Sequence, residues 1–152
     1  MEERFQAFTV LIASISRSIR RIKTEEMAEF NLKSPHVSCL YYLYKSDSLS
    51  AKQLCDICEE DKANVSRSIK YLEENGFVHA EPTSGKRYQT PLVLTEKGRA
   101  TGKRVAEKID SILMAASKGL SEADRAVMYE SLSIINNNLQ RICDGYDDTG
   151  VH

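Results

Sequence analysis

Between Asp61 and Val78 the chain reads DKANVSRSIKYLEENGFV. At about 100° per residue, Val65, Ile69 and Leu72 share one stripe of a helix and must face a core. Arg67 falls opposite that stripe. Ala63, Asn64, Lys70 and Tyr71 flank it on the exposed side, and Lys62 and Ser66 complete the surface. These residue types can grip and read DNA. Arg and Asn can make paired hydrogen bonds to guanine and adenine edges, Lys neutralises phosphate, and Ala63 is small enough to let the helix approach a groove closely. A loop further on, SGKRYQTP, adds Lys86 and Arg87, which could reach an adjacent minor groove or the phosphate backbone. A charged helix face taken alone is usually just solvated. What favours DNA here is the combination of that face with capped helices before and at it, and a basic hairpin after it.

The flanking sequence supplies the elements that would hold this face in place. Ser50-Ala51-Lys52-Gln53 is a capping box that opens a short helix running to about Glu59. Asp61 caps the next helix, and Gly76 closes it in the left-handed conformation. FVHAEP alternates, TSGKRYQT is rich in turn residues, and PLVLT returns, so the three together read as a β-hairpin. Two helices joined by a tight turn and followed by a hairpin make a winged helix-turn-helix. Before it, Ser34-Pro35 starts a helix through HVSCLYYLYK, with Ser34 as the N-cap. After it, Thr95 caps a helix over roughly residues 96–117.

Both ends of the chain carry narrow apolar seams. Phe5, Phe8, Ile12, Ile15, Ile19 and Ile22 repeat at alternating spacings of three and four, and residues 3–29 read as one long amphipathic helix. Met128, Leu132, Ile135, Leu139 and Ile142 repeat in the same way. Ser121 and Asp124 before them have the spacing of a capping box. Two such seams in so short a chain suit a helical dimer interface better than packing within one chain. The expected fold class is mainly α, an α+β winged helix. Residues 34–104 would form the DNA-binding winged helix-turn-helix, and residues 1–33 with 105–152 a helical dimerisation region.

Composition places the chain among ordinary globular proteins, with 41% hydrophobic and 28% charged residues over 152 positions. The net charge of −1 is unevenly spread. Residues 62–104 carry 9 basic and 4 acidic side chains, whereas residues 1–61 carry 8 and 10, and residues 105–152 carry 4 and 8. A local basic patch is the electrostatic footprint of phosphate binding, and whole-chain charge is the poorer guide. No apolar run approaches the roughly 20 residues of a membrane span. The opening MEERFQAF lacks the pattern of an export signal, so a cytoplasmic location and no membrane partner are expected.

The run LSAKQLCDICEEDKANVSRSIKYLEENGFVHAE followed by KRYQTPLVLTEKG closely resembles the MarR family of bacterial transcription regulators. Asp61, Val65, Ser66, Arg67, Leu72, Glu73, Gly76, Leu94, Thr95 and Gly98 carry the resemblance most clearly. It implies a homodimer on a palindromic DNA operator. Such a protein usually represses transcription and is released by a small ligand, phenolic or otherwise aromatic, or by oxidation. It also places ligand pockets near residues such as Tyr41, Tyr42 and Tyr44, and His36 could line one. There are departures. Many members carry an acidic residue in the wing that orients an arginine, and here Gly85 stands at that place before Arg87. The turn between the two helix-turn-helix helices is Glu59-Glu60, where a glycine is common, and two acids there should repel phosphate unless they point away.

Cys55 and Cys58 have the spacing of a redox or metal motif, but no further ligands stand nearby in sequence, and both positions suit small core residues. With no export signal, the four cysteines are expected as free thiols. Peroxide-sensing relatives keep a reactive cysteine in the first helix, and this chain has none there. No nucleotide loop, nucleophile elbow or zinc-protease motif occurs, which leaves little support for an enzyme. No cofactor is expected. The alternatives are a winged helix used as a protein-interaction scaffold without DNA, or a thiol-based redox-sensing regulator.

Overall fold

The structure is a computed structural model that describes residues 2–82 and 85–149. It comprises two compact units, Met1–Ser111 and Ile112–His152. In the first, a short helix α1 (Glu2–Phe5) runs through a π-helical stretch, Gln6–Leu11, into α2 (Ile12–Glu26). A 3-10 turn over Ala28–Phe30 leads to α3 (Ser34–Lys45). Then come β1 (Leu49–Ser50), α4 (Ala51–Ile57), α5 (Lys62–Glu74), β2 (Val78–Ala80), a 3-10 turn over Arg87–Gln89, β3 (Pro91–Leu94) and α6 (Glu96–Ala116). The second unit holds the end of α6 and all of α7 (Glu122–Thr149).

The expected winged helix-turn-helix is present. Val65, Ile69 and Leu72 of α5 are buried with Val37, Leu40 and Leu43 of α3, Leu54 of α4, Val78, Leu92 and Leu94 of the sheet, and Val105 of α6. Each fully buried aliphatic side chain is worth about 1.5–3 kcal/mol relative to exposure, so this cluster fixes α5 firmly on its neighbours. The caps form as the sequence predicts. Ser50 Oγ accepts from Gln53 N at 3.2 Å while Gln53 Oε1 accepts from Ser50 N at 2.9 Å. Asp61 Oδ1 accepts from Asn64 N at 2.7 Å. Ser121 Oγ accepts from Asp124 N at 3.1 Å.

The end of α5 is tied to the start of α6. Gly76 has φ +76° and turns the chain at the end of α5. Thr95 Oγ1 donates to Gly76 O at 2.6 Å and accepts from Gly98 N at 3.0 Å. A Cβ on Gly98 would lie 1.8 Å from Phe77 O, so only glycine fits that approach.

Several sequence expectations are corrected. The single helix over 3–29 is interrupted by the π-helical stretch and ends at Glu26, before the 3-10 turn. The N-cap of α3 is Lys33 rather than Ser34, which is its first helical residue and is buried. The short helix α4 stops at Ile57 instead of about Glu59. The hairpin is part of a three-stranded antiparallel sheet in the order β1-β3-β2, with Leu49 opposite Leu92 and Val78 opposite Leu94. Thr83 and Ser84, the start of the expected hairpin turn, lie outside the described residues, as do residues 150–152.

The seam residues stand open in this single chain. Phe5, Phe8, Ile12, Ile15, Ile19 and Ile22 are exposed along α1, the π-helical stretch and α2, from 38% at Ile22 to 69% at Phe5. On α7, Leu132, Leu139 and Ile142 are exposed, and Met128 and Ile135 are half-buried.

Candidate nucleic-acid interface

Capping by Asp61 and burial of the Val65, Ile69 and Leu72 stripe set the rotation of α5 about its axis. Lys62, Ala63, Ser66, Arg67 and Lys70 are consequently exposed, and Asn64 is half-buried at the edge of the same face. Lys86 and Arg87 are exposed on the segment that returns to β3. Ser66, Lys70 and Glu73 of α5 line one wall of an open cleft of about 400 Å³, and Arg87, Tyr88 and Leu92 line the other. Lys62 Nζ sits 4.8 Å from the centroid of the Tyr88 ring, which joins the start of α5 to the wing. Of the eight residues singled out in the sequence, Ser66, Lys70 and Arg87 line this cleft and Lys62 is tied to it through Tyr88, while Ala63, Asn64 and Arg67 stand elsewhere on α5 and Lys86 precedes Arg87.

Tyr71 is an exception to that reading. It turns away from the basic face and stacks on His36, with ring centroids 4.0 Å apart and planes 3° from parallel. Its hydroxyl donates to Asn31 O at 2.5 Å. An amphipathic ring on the border of a helix face can cover apolar neighbours while its hydroxyl finds a polar partner. Burial, with the nearby Lys33 charge, pushes the His36 imidazole below its ordinary value, and its Nδ1 accepts from Lys33 N at 3.1 Å.

The acids near the face have definite partners that the sequence did not reveal. Arg87 Nη2 donates to both carboxylate oxygens of Glu73, one of them at 2.6 Å. Glu73 on α5 thus holds Arg87 where the wing itself lacks an acid. Lys70 Nζ lies 3.9 Å from Glu74 in an exposed i,i+4 pair. Glu59 points toward α2 and α3, where Lys23 Nζ and Ser38 Oγ both donate to its Oε1. Burial alone would raise the Glu59 carboxyl, but these two bonds, with a backbone hydrogen bond and the Lys23 charge, hold it below its ordinary value.

Glu60 is buried, its side chain only 1% exposed. Its Oε2 accepts from Asn64 Nδ2 at 3.1 Å. Arg20 Nη2 lies 3.0 Å from Oε1, close enough for an ion pair but not aligned as a hydrogen bond. Asn64 Oδ1 in turn accepts from Arg67 Nη2 at 2.5 Å. Neither acid of the turn faces the basic surface, so the repulsion of phosphate anticipated from Glu59-Glu60 does not arise. The only sequence signal for these contacts was a pair of adjacent acids in a short turn and two cations, Arg20 and Lys23, one helical turn apart.

The cysteines are free thiols. Cys55 and Cys58 both pack against the core, but each has a different partner. A hydrogen bond with the Cys55 thiol, together with burial, raises the Tyr88 hydroxyl. A side-chain hydrogen bond links Cys58 with the buried Cys39, lowering the Cys58 thiol and pushing Cys39 far up. Among the described residues no group of three or more His, Cys, Asp or Glu is placed to hold a metal ion, and no helix is long and apolar enough to cross a membrane.

A profile of the MarR family matches residues 30–87, the segment from the end of the 3-10 turn through α3, α4 and α5 into the wing, ending before β3. The same architecture recurs over almost the whole chain in a MarR family transcriptional regulator from Listeria monocytogenes complexed with 26mer DNA. That structure has a TM-score of 0.80 and 26% identity, covering 93% of each chain. Residues 30–87 are thus similar to the MarR family, and the fold of the chain is similar to that of a MarR regulator. A SlyA-like transcription regulator, also from Listeria monocytogenes, is similar at a TM-score of 0.81 and 25% identity, covering 95% of this chain and 96% of that one. The HTH-type transcriptional regulator YybA of Bacillus subtilis (strain 168) is 22% identical over 130 residues, covering 86% of this chain and 87% of the relative. The profile match contains all eight residues singled out in the sequence, so the MarR resemblance and the geometry point to the same segment.

Proposed function

We propose that this protein is a DNA-binding transcriptional regulator that reads a palindromic operator as a homodimer. The observation that carries the reading is the exposed face of α5: Lys62, Ala63, Ser66, Arg67 and Lys70 stand outward on a helix fixed by its cap and buried stripe, beside the basic wing. Arg67 contacts a base edge in the major groove, while Lys62 and Lys70 neutralise phosphates. Lys86 and Arg87 reach the backbone or the adjacent minor groove. The DNA complex of the Listeria monocytogenes relative supports this use of the fold.

Residues 34–104 form the DNA-binding part. The helices of residues 1–33 and 105–152 pair two copies through the seams of Phe5, Phe8, Ile12, Ile15, Leu132, Ile135, Leu139 and Ile142. In this reading the protein works in the cytoplasm as a repressor, and a small aromatic molecule releases it from DNA. The half-buried Tyr42 of α3 and the stacked His36–Tyr71 pair, which joins α3 to α5, support an aromatic-ligand site close to the reading helix.

The test is the salt dependence of binding to a duplex selected by the wild-type protein from a randomised pool. A dimer that neutralises about six phosphates should lose about 10³-fold in affinity between 50 and 200 mM salt. Undetectable duplex binding at low salt would favour a protein-interaction scaffold instead.

A further inference from the structure

The carboxylate of Glu60 is an unusual group to find inside a small domain. It is almost wholly buried, yet it has one hydrogen bond and one misaligned ion pair. For stability alone, a well-packed apolar side chain would serve a buried site as well or better. What the carboxylate does supply is direction. A carboxylate only accepts hydrogen bonds, so the Asn64 amide must turn its Nδ2 toward Glu60. That leaves Oδ1 facing Arg67, which donates to it from Nη2. The planar guanidinium is thereby held by one corner, with its remaining donors free to meet a base edge.

We propose that Glu60 is a positioning residue for base recognition, fixing the orientation of the Asn64 amide and through it the guanidinium of Arg67. The inference rests on the DNA-reading role of α5 proposed above. It also changes the part played by Asn64. Both ends of its amide are engaged within the protein, so Asn64 aims Arg67 instead of pairing with adenine. Because Arg20 on α2 pairs with Glu60, the relay runs from α2 through the turn to the exposed face of α5. Pre-orienting a long side chain lowers the ordering cost that binding would otherwise carry.

The test uses the full-length protein and the selected duplex. Substituting each base pair in turn, with wild type and Arg67→Ala, identifies the pair whose change Arg67→Ala no longer senses. At that pair Arg67→Ala should lower discrimination about tenfold. Glu60→Leu fills the site but offers no acceptor, and Asn64→Ala breaks the relay at a half-exposed position. Each should lose most of the same discrimination, while binding of Glu60→Leu to a scrambled duplex stays within about twofold of wild type. The Glu60→Leu/Arg67→Ala double variant should discriminate no worse than Arg67→Ala alone. Glu60→Gln keeps an acceptor for Asn64 and should retain the wild-type preference.

Full discrimination in both Glu60→Leu and Asn64→Ala, alongside its loss in Arg67→Ala, would overturn the positioning role and leave Arg67 reading alone. Loss in Glu60→Gln equal to that in Glu60→Leu would overturn the acceptor mechanism. If Arg67→Ala alters discrimination at no base pair, it is the base-reading role of Arg67 that fails. If Glu60→Leu shows no cooperative melting, Asn64→Ala decides the question.

Discussion

Arg67, Lys62, Ala63, Ser66 and Lys70 could be placed from sequence because helix geometry is local. Once Val65, Ile69 and Leu72 are assigned to a core, the opposite face follows. What those residues touch was not legible. The partners of Glu59, Glu60 and Arg87 come from other elements, and helical periodicity does not encode which distant cation a turn acid will meet. Tyr71 was misplaced for the same reason, since its partner His36 lies on α3.

Glu59 gives the clearest prediction at this scale. Its carboxyl is held below the ordinary value of 4.5 in the folded state, against burial, by Lys23 and Ser38. A depressed acid contributes stability above its unfolded value, and that contribution disappears as pH falls through the folded value. Glu59 is about half-exposed, so solvent screening limits the effect to roughly 0.5–1 kcal/mol. Glu59→Gln should therefore lower the unfolding free energy by that amount at pH 7, measured by urea denaturation. The difference should shrink steadily below about pH 4.5. A difference that persists unchanged at pH 3 would mean that shape, not charge, holds the turn.

Among the elements, those with local punctuation were legible. The caps at Ser50, Asp61, Thr95 and Ser121 and the left-handed Gly76 are written in adjacent residues, and each forms. The elements that depend on distant pairing were not. Leu49–Ser50 reads as the approach to a helix and becomes a strand only by pairing with β3. The π-helical stretch has the same three-and-four spacing as the α-helix that follows it, so the seam pattern could not reveal it. Lys33 takes the N-cap of α3 because Ser34 is already buried, where its backbone N–H donates to Thr24 Oγ1 at 3.1 Å.

The wing combines both cases. Its basic residues were visible in the sequence, but the tie from Arg87 to Glu73 was not. Replacing Lys86 and Arg87 together by alanine should weaken binding to all duplexes and reduce the salt slope. Two lysines per dimer account for about 2 units of slope, and both cations for about 4 if Arg87 leaves Glu73 for phosphate. An unchanged slope would take the wing off the DNA.

At the scale of the whole molecule, the exposed apolar residues matter most. Phe5, Phe8, Ile12 and Ile15 stand open on the first unit and Leu132, Leu139 and Ile142 on the second, and exposed apolar surface of this kind marks an association site. Pairing two copies through it would present two α5 helices to one duplex. Paired reading helices favour half-sites about one helical turn apart, roughly 10 base pairs, or a multiple of that. Hydroxyl-radical footprinting of the wild-type protein on its selected duplex tests this most directly. The predicted result is two protected patches related by two-fold symmetry at that spacing. Both should be lost together in Ile12→Asp, because a charge placed in the apolar seam separates the copies. A single unsymmetrical patch, or protection unchanged by Ile12→Asp, would contradict the account.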